Sequence, residues 1–173
     1  MKVKILRVSV NELIDAIIRK GDPEELPSMH QGWRFNFDRH IRKLSYARAY
    51  VLVCEDTPEM IEGCMIFQMK NRELPFLAYL ETAPHNRIKP AIHDHVAGCL
   101  IAYAFKLSTL EGKGDHNGIL ALDVLEADPV DQTKLMQLYS TKYNAVKVSD
   151  TRMYIMDDNG HALVKKFLGR IET

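Results

Sequence analysis

Tyr79-Leu80-Glu81-Thr82-Ala83-Pro84-His85-Asn86-Arg87 reads as an apolar strand that runs out at Thr82 and is stopped by a proline, whose fixed φ and missing N–H end ladder pairing. The strand begins upstream at Phe76. Two more apolar runs precede it, Tyr50 to Cys54 and Gly63 to Met69, with breaks at Asp56-Thr57-Pro58 and Asn71 to Pro75. Three successive strands with short connections predict an antiparallel meander. Downstream, a polar segment leads to Val96, Leu100, Tyr103, Ala104 and Leu107, which fall at helical spacing. They predict a helix that begins near Asp94 and ends near Gly112 and Gly114.

The flanks follow from the same patterns. Lys2 to Val8 alternates and predicts a strand; Ser9 and Asn11 then stand as candidate caps of a helix whose apolar face is Leu13, Ile14, Ile17 and Ile18. Gly21 to Gly32 is turn-rich, and Trp33 to Leu44 reads as a second helix, with Phe37, Ile41 and Leu44 on one side. After the central helix come a strand (Ile119 to Leu125), a helix (Thr133 to Tyr143), one or two strands (Val146 to Met156) and a short terminal helix (His161 to Leu168). The class is α/β, and no internal repeat or low-complexity tract interrupts it.

At 173 residues and 46% hydrophobic content, the chain suits one domain over 1–173 with one active site. Its 23 basic and 23 acidic residues cancel, so no electrostatic footprint favours a nucleic acid or an anionic membrane. Cys54, Cys64 and Cys99 lie in apolar surroundings without a CxxC pair and read as reduced, buried thiols. Met1 to Val10 lacks the pattern of a signal peptide, and the longest apolar run, Val96 to Phe105, is too short to span a bilayer. A cytoplasmic protein is expected.

The element order strand, helix, helix, three strands, helix, strand, helix, strand resembles that of the GNAT N-acetyltransferases. Three stretches keep that family's order from about Gly63 to Met156: Tyr79 to Arg87, Leu135 to Ala145, and Arg152-Met153-Tyr154-Ile155. The resemblance implies a central, mixed, mostly antiparallel sheet flanked by helices. It implies acetyl-CoA as cosubstrate and direct transfer of the acetyl group, in a ternary complex, to a primary amine on a small molecule or a protein. The fold's open sheet edge allows a homodimer.

Such chemistry needs an extended pantetheine, a neutralised pyrophosphate, a base for the amine and an acid for the departing thiolate. By resemblance, Leu80, Glu81 and Thr82 offer a strand edge to the pantetheine. Tyr139 matches the tyrosine that protonates the thiolate, and Gln132 matches a position that faces the coenzyme. Glu81, a carboxylate at a strand end, is the candidate base. The pyrophosphate turn departs from the family's Q/R-x-x-G-x-G/A pattern. Ile92-His93-Asp94-His95-Val96-Ala97 has Ile for the first residue and His95 for the first glycine, and only Ala97 matches. Arg87 could serve as the basic residue and Gly98 could supply backbone freedom one position late. His95, Val96, Ala97 and Gly98 are therefore the expected phosphate contacts. The missing glycines also favour an alternative, a GNAT-fold binding or regulatory module without catalysis.

His93-Asp94-His95, with His85 upstream, has the side-chain types of a divalent-metal site, but no cysteine lies at metal spacing and no metal is expected. Capping of the helix by Asp94 is the simpler reading. Met153, Tyr154, Met156, Trp33, Phe35 and Phe37 could line an acceptor pocket, although aromatics at such spacing usually fill a core. No Ser or Cys nucleophile constellation is visible.

Overall fold

The computed structural model describes residues 1–169. Its elements in chain order are β1 (Lys2–Arg7), β2 (Glu12–Lys20), α1 (Phe37–Lys43), β3 (Ala47–Cys54), β4 (Thr57–Lys70), β5 (Leu74–Thr82) and the short α2 (Pro84–Arg87). They continue with β6 (His93–Asp94), α3 (Val96–Glu111), β7 (Ile119–Asp123), α4 (Pro129–Tyr143), β8 (Val146–Lys147), β9 (Arg152–Met156) and α5 (Asp157–Phe167).

The described residues form a nine-stranded sheet in the order β6-β1-β2-β3-β4-β5-β7-β9-β8. Every pairing is antiparallel except β5 with β7. The meander, the central helix and the helix before the last strands stand where the sequence places them.

The N-terminal third differs from expectation. Leu13 to Ile18 belongs to β2 and not to a helix, and Val8 to Asn11 is a hairpin turn in which Asn11 takes φ 53°. Asn tolerates that left-handed geometry in turns. Apolar residues on β2 occur at both parities because both faces of the sheet are covered: Ala16 and Ile18 sit in one core, while Ile17 packs against the other. Two buried faces remove the alternation that marks a strand and leave a spacing that imitates a helix.

The second expected helix is also shorter, starting at Phe37 rather than Trp33. The N–H groups of Arg34 and Phe35 donate to the Glu81 carboxylate, at 2.8 and 3.3 Å, so this segment is shaped by Glu81 instead of by helical bonds. Trp33 and Phe37 are buried and meet edge to face at 6.0 Å, as core aromatics do.

One core lies between the sheet and α3, α4 and α5; the other lies under α1 and its preceding loop. Helix α3 is apolar nearly all round because the sheet covers one side and α5 the other: Cys99, Leu100, Ile101, Ala102, Ala104 and Phe105 are each fully buried. Contact with α5 is close enough to require glycine. A Cβ on Gly160 would stand 2.1 Å from the Phe105 ring. Gly160→Ala is therefore expected to cost about 1–3 kcal/mol through overpacking, read as a lower urea midpoint at unchanged m. Adding Phe105→Leu should return part of the loss.

Candidate functional site

Strands β5 and β7 pair only at Phe76↔Ala121 and Leu77↔Leu122. Beyond that point β5 continues to Thr82 while β7 stops at Asp123, so the edge of β5 that faces β7 is left without a ladder. A bulge lies at the divergence. On the β4 side, Ile66 pairs with Tyr79 and Phe67 with Leu77, so Ala78 is skipped. An extra residue sharpens local twist and redirects the strand, which turns β5 away from β7.

The gap opens toward the start of α3. A cleft of about 190 Å³ is bordered by Thr82, Asn86, the stretch from His93 to Gly98, Lys142, Tyr143 and Phe167. Helix α3 begins at Val96 with no side-chain cap and no acidic residue in its first turn. The N–H groups of Val96, Ala97 and Gly98 have no acceptor within their own helix. With the helix dipole and the nearby Lys142 ammonium, they make this end of the cleft favourable for an anion.

His95, in place of a glycine, adopts φ 71° to turn the chain into the helix, and its ring meets Phe167 edge-on at 6.0 Å. His95 is the cap residue, and Asp94 instead accepts from the His95 N–H at 2.6 Å. The expected capping by Asp94 is thus corrected.

Of the expected cosubstrate residues, Thr82, His95, Val96, Ala97 and Gly98 all border the cleft. Gly98 owes its place to packing, because a Cβ there would stand 2.3 Å from Phe167. Leu80 is half-buried against the larger core.

Arg87 points elsewhere. Its guanidinium pairs with Glu81 at 2.8 Å and donates to the Gly32 carbonyl at 2.8 Å. Gln132 lies in the first turn of α4, where its amide accepts from the Glu126 N–H and donates to the Asp150 carbonyl; it borders a separate groove of about 290 Å³.

Tyr139 is half-buried against the core, and burial pushes its phenol up to about 12. Tyr143, one helical turn on, is the tyrosine that borders the cleft. Burial raises its phenol even further, helped by Tyr139 and Asp94, so it keeps its proton across the neutral range. Tyr143 and Lys142 are the residues that sequence reasoning passed over. Helical periodicity places Tyr139 and Tyr143 on one face and does not say which of them reaches the opening.

Glu81 is buried, with its oxygens engaged by Arg87 and by the N–H groups of Arg34 and Phe35. Such a carboxylate orders a loop.

A second buried carboxylate, Glu62, accepts at Oε2 from His85 Nε2 (2.7 Å), Asn86 Nδ2 (2.8 Å) and His93 Nδ1 (2.9 Å). Burial works to raise its pKa, but these hydrogen bonds outweigh burial and leave it lowered. Cys54 Sγ stands 4.0 Å from His93 Nε2. Burial, with Glu62 nearby, pushes that thiol up to about 11, so it is poorly suited to act as a nucleophile.

No family description and no curated protein matches the sequence. Solved structures do match the fold. A chimera of Vibrio cholerae spermidine N-acetyltransferase SpeG and hSSAT is similar over 87% of this chain and 98% of its own, with TM-score 0.56 and 14% identity.

The chain has the GNAT fold.

AtaTR bound with AcCoA is similar over 86% of this chain and 97% of its own, with TM-score 0.55 and 15% identity. KacTA in a DNA complex is similar over 87% and 99%, with TM-score 0.56 and 12% identity. The expected mixed, mostly antiparallel GNAT sheet flanked by helices is the one found. No helix among the described residues is long and apolar enough to cross a membrane.

Removing Arg87 would leave the buried Glu81 anion without its cation. Arg87→Ala is expected to cost about 2 kcal/mol, below the figure for a fully buried pair because Arg87 is partly exposed. Urea denaturation measures it, and quenching of Trp33 fluorescence by acrylamide should show that the loop loosens.

Proposed function

We propose that this protein is an acetyltransferase that takes the acetyl group of acetyl-CoA and passes it directly to a primary amine, on a small molecule or a protein, in a ternary complex. The carrying observation is the β5 edge that has no ladder partner beyond Leu77 among the described residues, which leads into a cleft ended by the N-terminus of α3. A free strand edge can pair with the amides of an extended pantetheine as an added strand would. The α3 N–H groups and Lys142 suit the pyrophosphate.

In this reading Tyr143 protonates the departing thiolate, because it is the phenol that borders the cleft, and Tyr139 supports it from the core. Leu80 and Thr82 flank the pantetheine, and His95 to Gly98 flank the phosphates. Glu81 works with Arg87 to hold the loop from Trp33 to Phe35. The likeness to AtaTR bound with AcCoA supports the cosubstrate, and the likeness to a spermidine N-acetyltransferase supports an amine acceptor.

One observation favours a second reading, a GNAT-fold binding module without catalysis. His95 stands where close phosphate approach favours glycine, and Phe167 closes in on Gly98.

Calorimetry with acetyl-CoA, followed by thiol release in the presence of a panel of amines, separates the readings. Binding with turnover is expected. Tyr143→Phe should then lower kcat roughly 100-fold, and Tyr139→Phe less than about threefold. Lys142→Ala should weaken acetyl-CoA binding roughly tenfold, the loss of one charge-assisted contact. Binding without turnover would favour the silent module, and no binding would remove both readings.

A further inference from the structure

Three side chains from β3, β4 and β6 meet in the interior near the start of α3. Cys54 ends β3 and His93 begins β6. Glu62 is the β4 residue skipped where the register passes from Leu52↔Gly63 to Val53↔Ile61. All three are buried, and one donor atom from each lies within 4.8 Å of the others. Between Cys54 Sγ and His93 Nε2 the separation is 4.0 Å.

The Glu62 carboxylate is satisfied on one side only. Oε2 accepts from His85, Asn86 and His93, whereas Oε1 is buried with no hydrogen-bond partner among the described residues. An orphaned carboxylate oxygen in an apolar interior is costly and rare, and a cation is the partner that relieves it best. An ion seated among the three would replace the hydrogen shared by His93 Nδ1 and Glu62 Oε2, which stand 2.9 Å apart, the imidazole proton moving to Nε2.

Sulfur, nitrogen and one carboxylate oxygen form a donor set for zinc rather than for magnesium or calcium. Ligands at zinc's usual bond lengths lie roughly 3.5 Å apart on a tetrahedron, and the three donor atoms already stand within 4.8 Å of one another. Oε1, with no bond to lose, can move to complete the set. Asn86 and His93 also border the cleft, which provides a way in.

We propose that Cys54, His93 and Glu62 form a zinc site that ties the ends of β3, β4 and β6 together near the start of α3, with His85 and Asn86 holding Glu62 in position. On binding, the Cys54 thiol releases its proton to solvent and coordinates as the thiolate. The site is independent of the acetyl-transfer reading, since it is measured without coenzyme.

The test uses the full chain, stripped with a chelator and checked for native near-ultraviolet circular dichroism, then titrated separately with zinc and with cobalt. One equivalent of zinc should survive gel filtration and raise Tm. The cobalt form should show a thiolate-to-cobalt charge-transfer band together with the visible bands of tetrahedral cobalt. Cys54→Ser should abolish the charge-transfer band, Cys64→Ser and Cys99→Ser should keep it, and Glu62→Gln should weaken zinc at least about tenfold. If Cys54→Ser does not fold, His93→Gln is expected to reduce zinc retention in the same way. A folded wild-type chain that retains no zinc and shows no band would overturn the proposal, as would a band that survives Cys54→Ser.

Discussion

Among the described residues, two pairs, Phe76↔Ala121 and Leu77↔Leu122, join the two parts of the sheet. The open cleft depends on that brevity. A longer parallel ladder would satisfy the β5 edge internally and leave nothing for a ligand to pair with. The bulge at Ala78 ends the ladder, because the added residue alters twist where β5 leaves its neighbour. An opening inside a sheet would expose apolar side chains if nothing lay beneath it. Here α3 spans the divide, packing on β4, β5 and β7 together.

That duty explains the composition of α3. A helix that bridges two parts of a sheet on one side and carries α5 on the other has little surface left for polar residues, and its middle is wholly apolar. Its N-terminus is different. It emerges at the cleft with no side-chain cap among the described residues, so a strongly hydrophobic helix also offers a polarised end. Packing by α5 sets the limit of the cleft, because Phe167 lies over Gly98 and leaves the neighbouring Tyr143 and Lys142 as its far wall.

The two buried glutamates show two solutions to one problem. Glu81 is neutralised by a guanidinium and two backbone N–H groups, and in exchange it shapes the loop on the far face of the sheet. Glu62 has amide and imidazole partners, crowded on one oxygen. The first arrangement is complete within the chain. The second leaves an oxygen open, and that asymmetry distinguishes a structural carboxylate from one with capacity for a ligand.

Local pattern was enough for the meander, the central helix, the later helix and the stop after Thr82, because each of these buries residues at a period that its own backbone dictates. It was enough, too, to bring Thr82 and His95 to Gly98 to one place, since all of them lie at the ends of elements whose order is known. The hairpin of β1 and β2 was not legible, because burial of both sheet faces erases alternation, nor was the loop at Trp33, whose N–H groups bond to a carboxylate far along the chain. That Tyr143 borders the cleft, that Arg87 pairs with Glu81, and that Gln132 in the first turn of α4 bonds Glu126 and Asp150 were decided by helix rotation and by which groups lay within reach. The meeting of Cys54, Glu62 and His93 belongs wholly to the tertiary structure. Sequence determines the type and order of elements through short-range periodicity, whereas the partners of a side chain depend on strand register and helix placement, which are set by the packing of the whole chain.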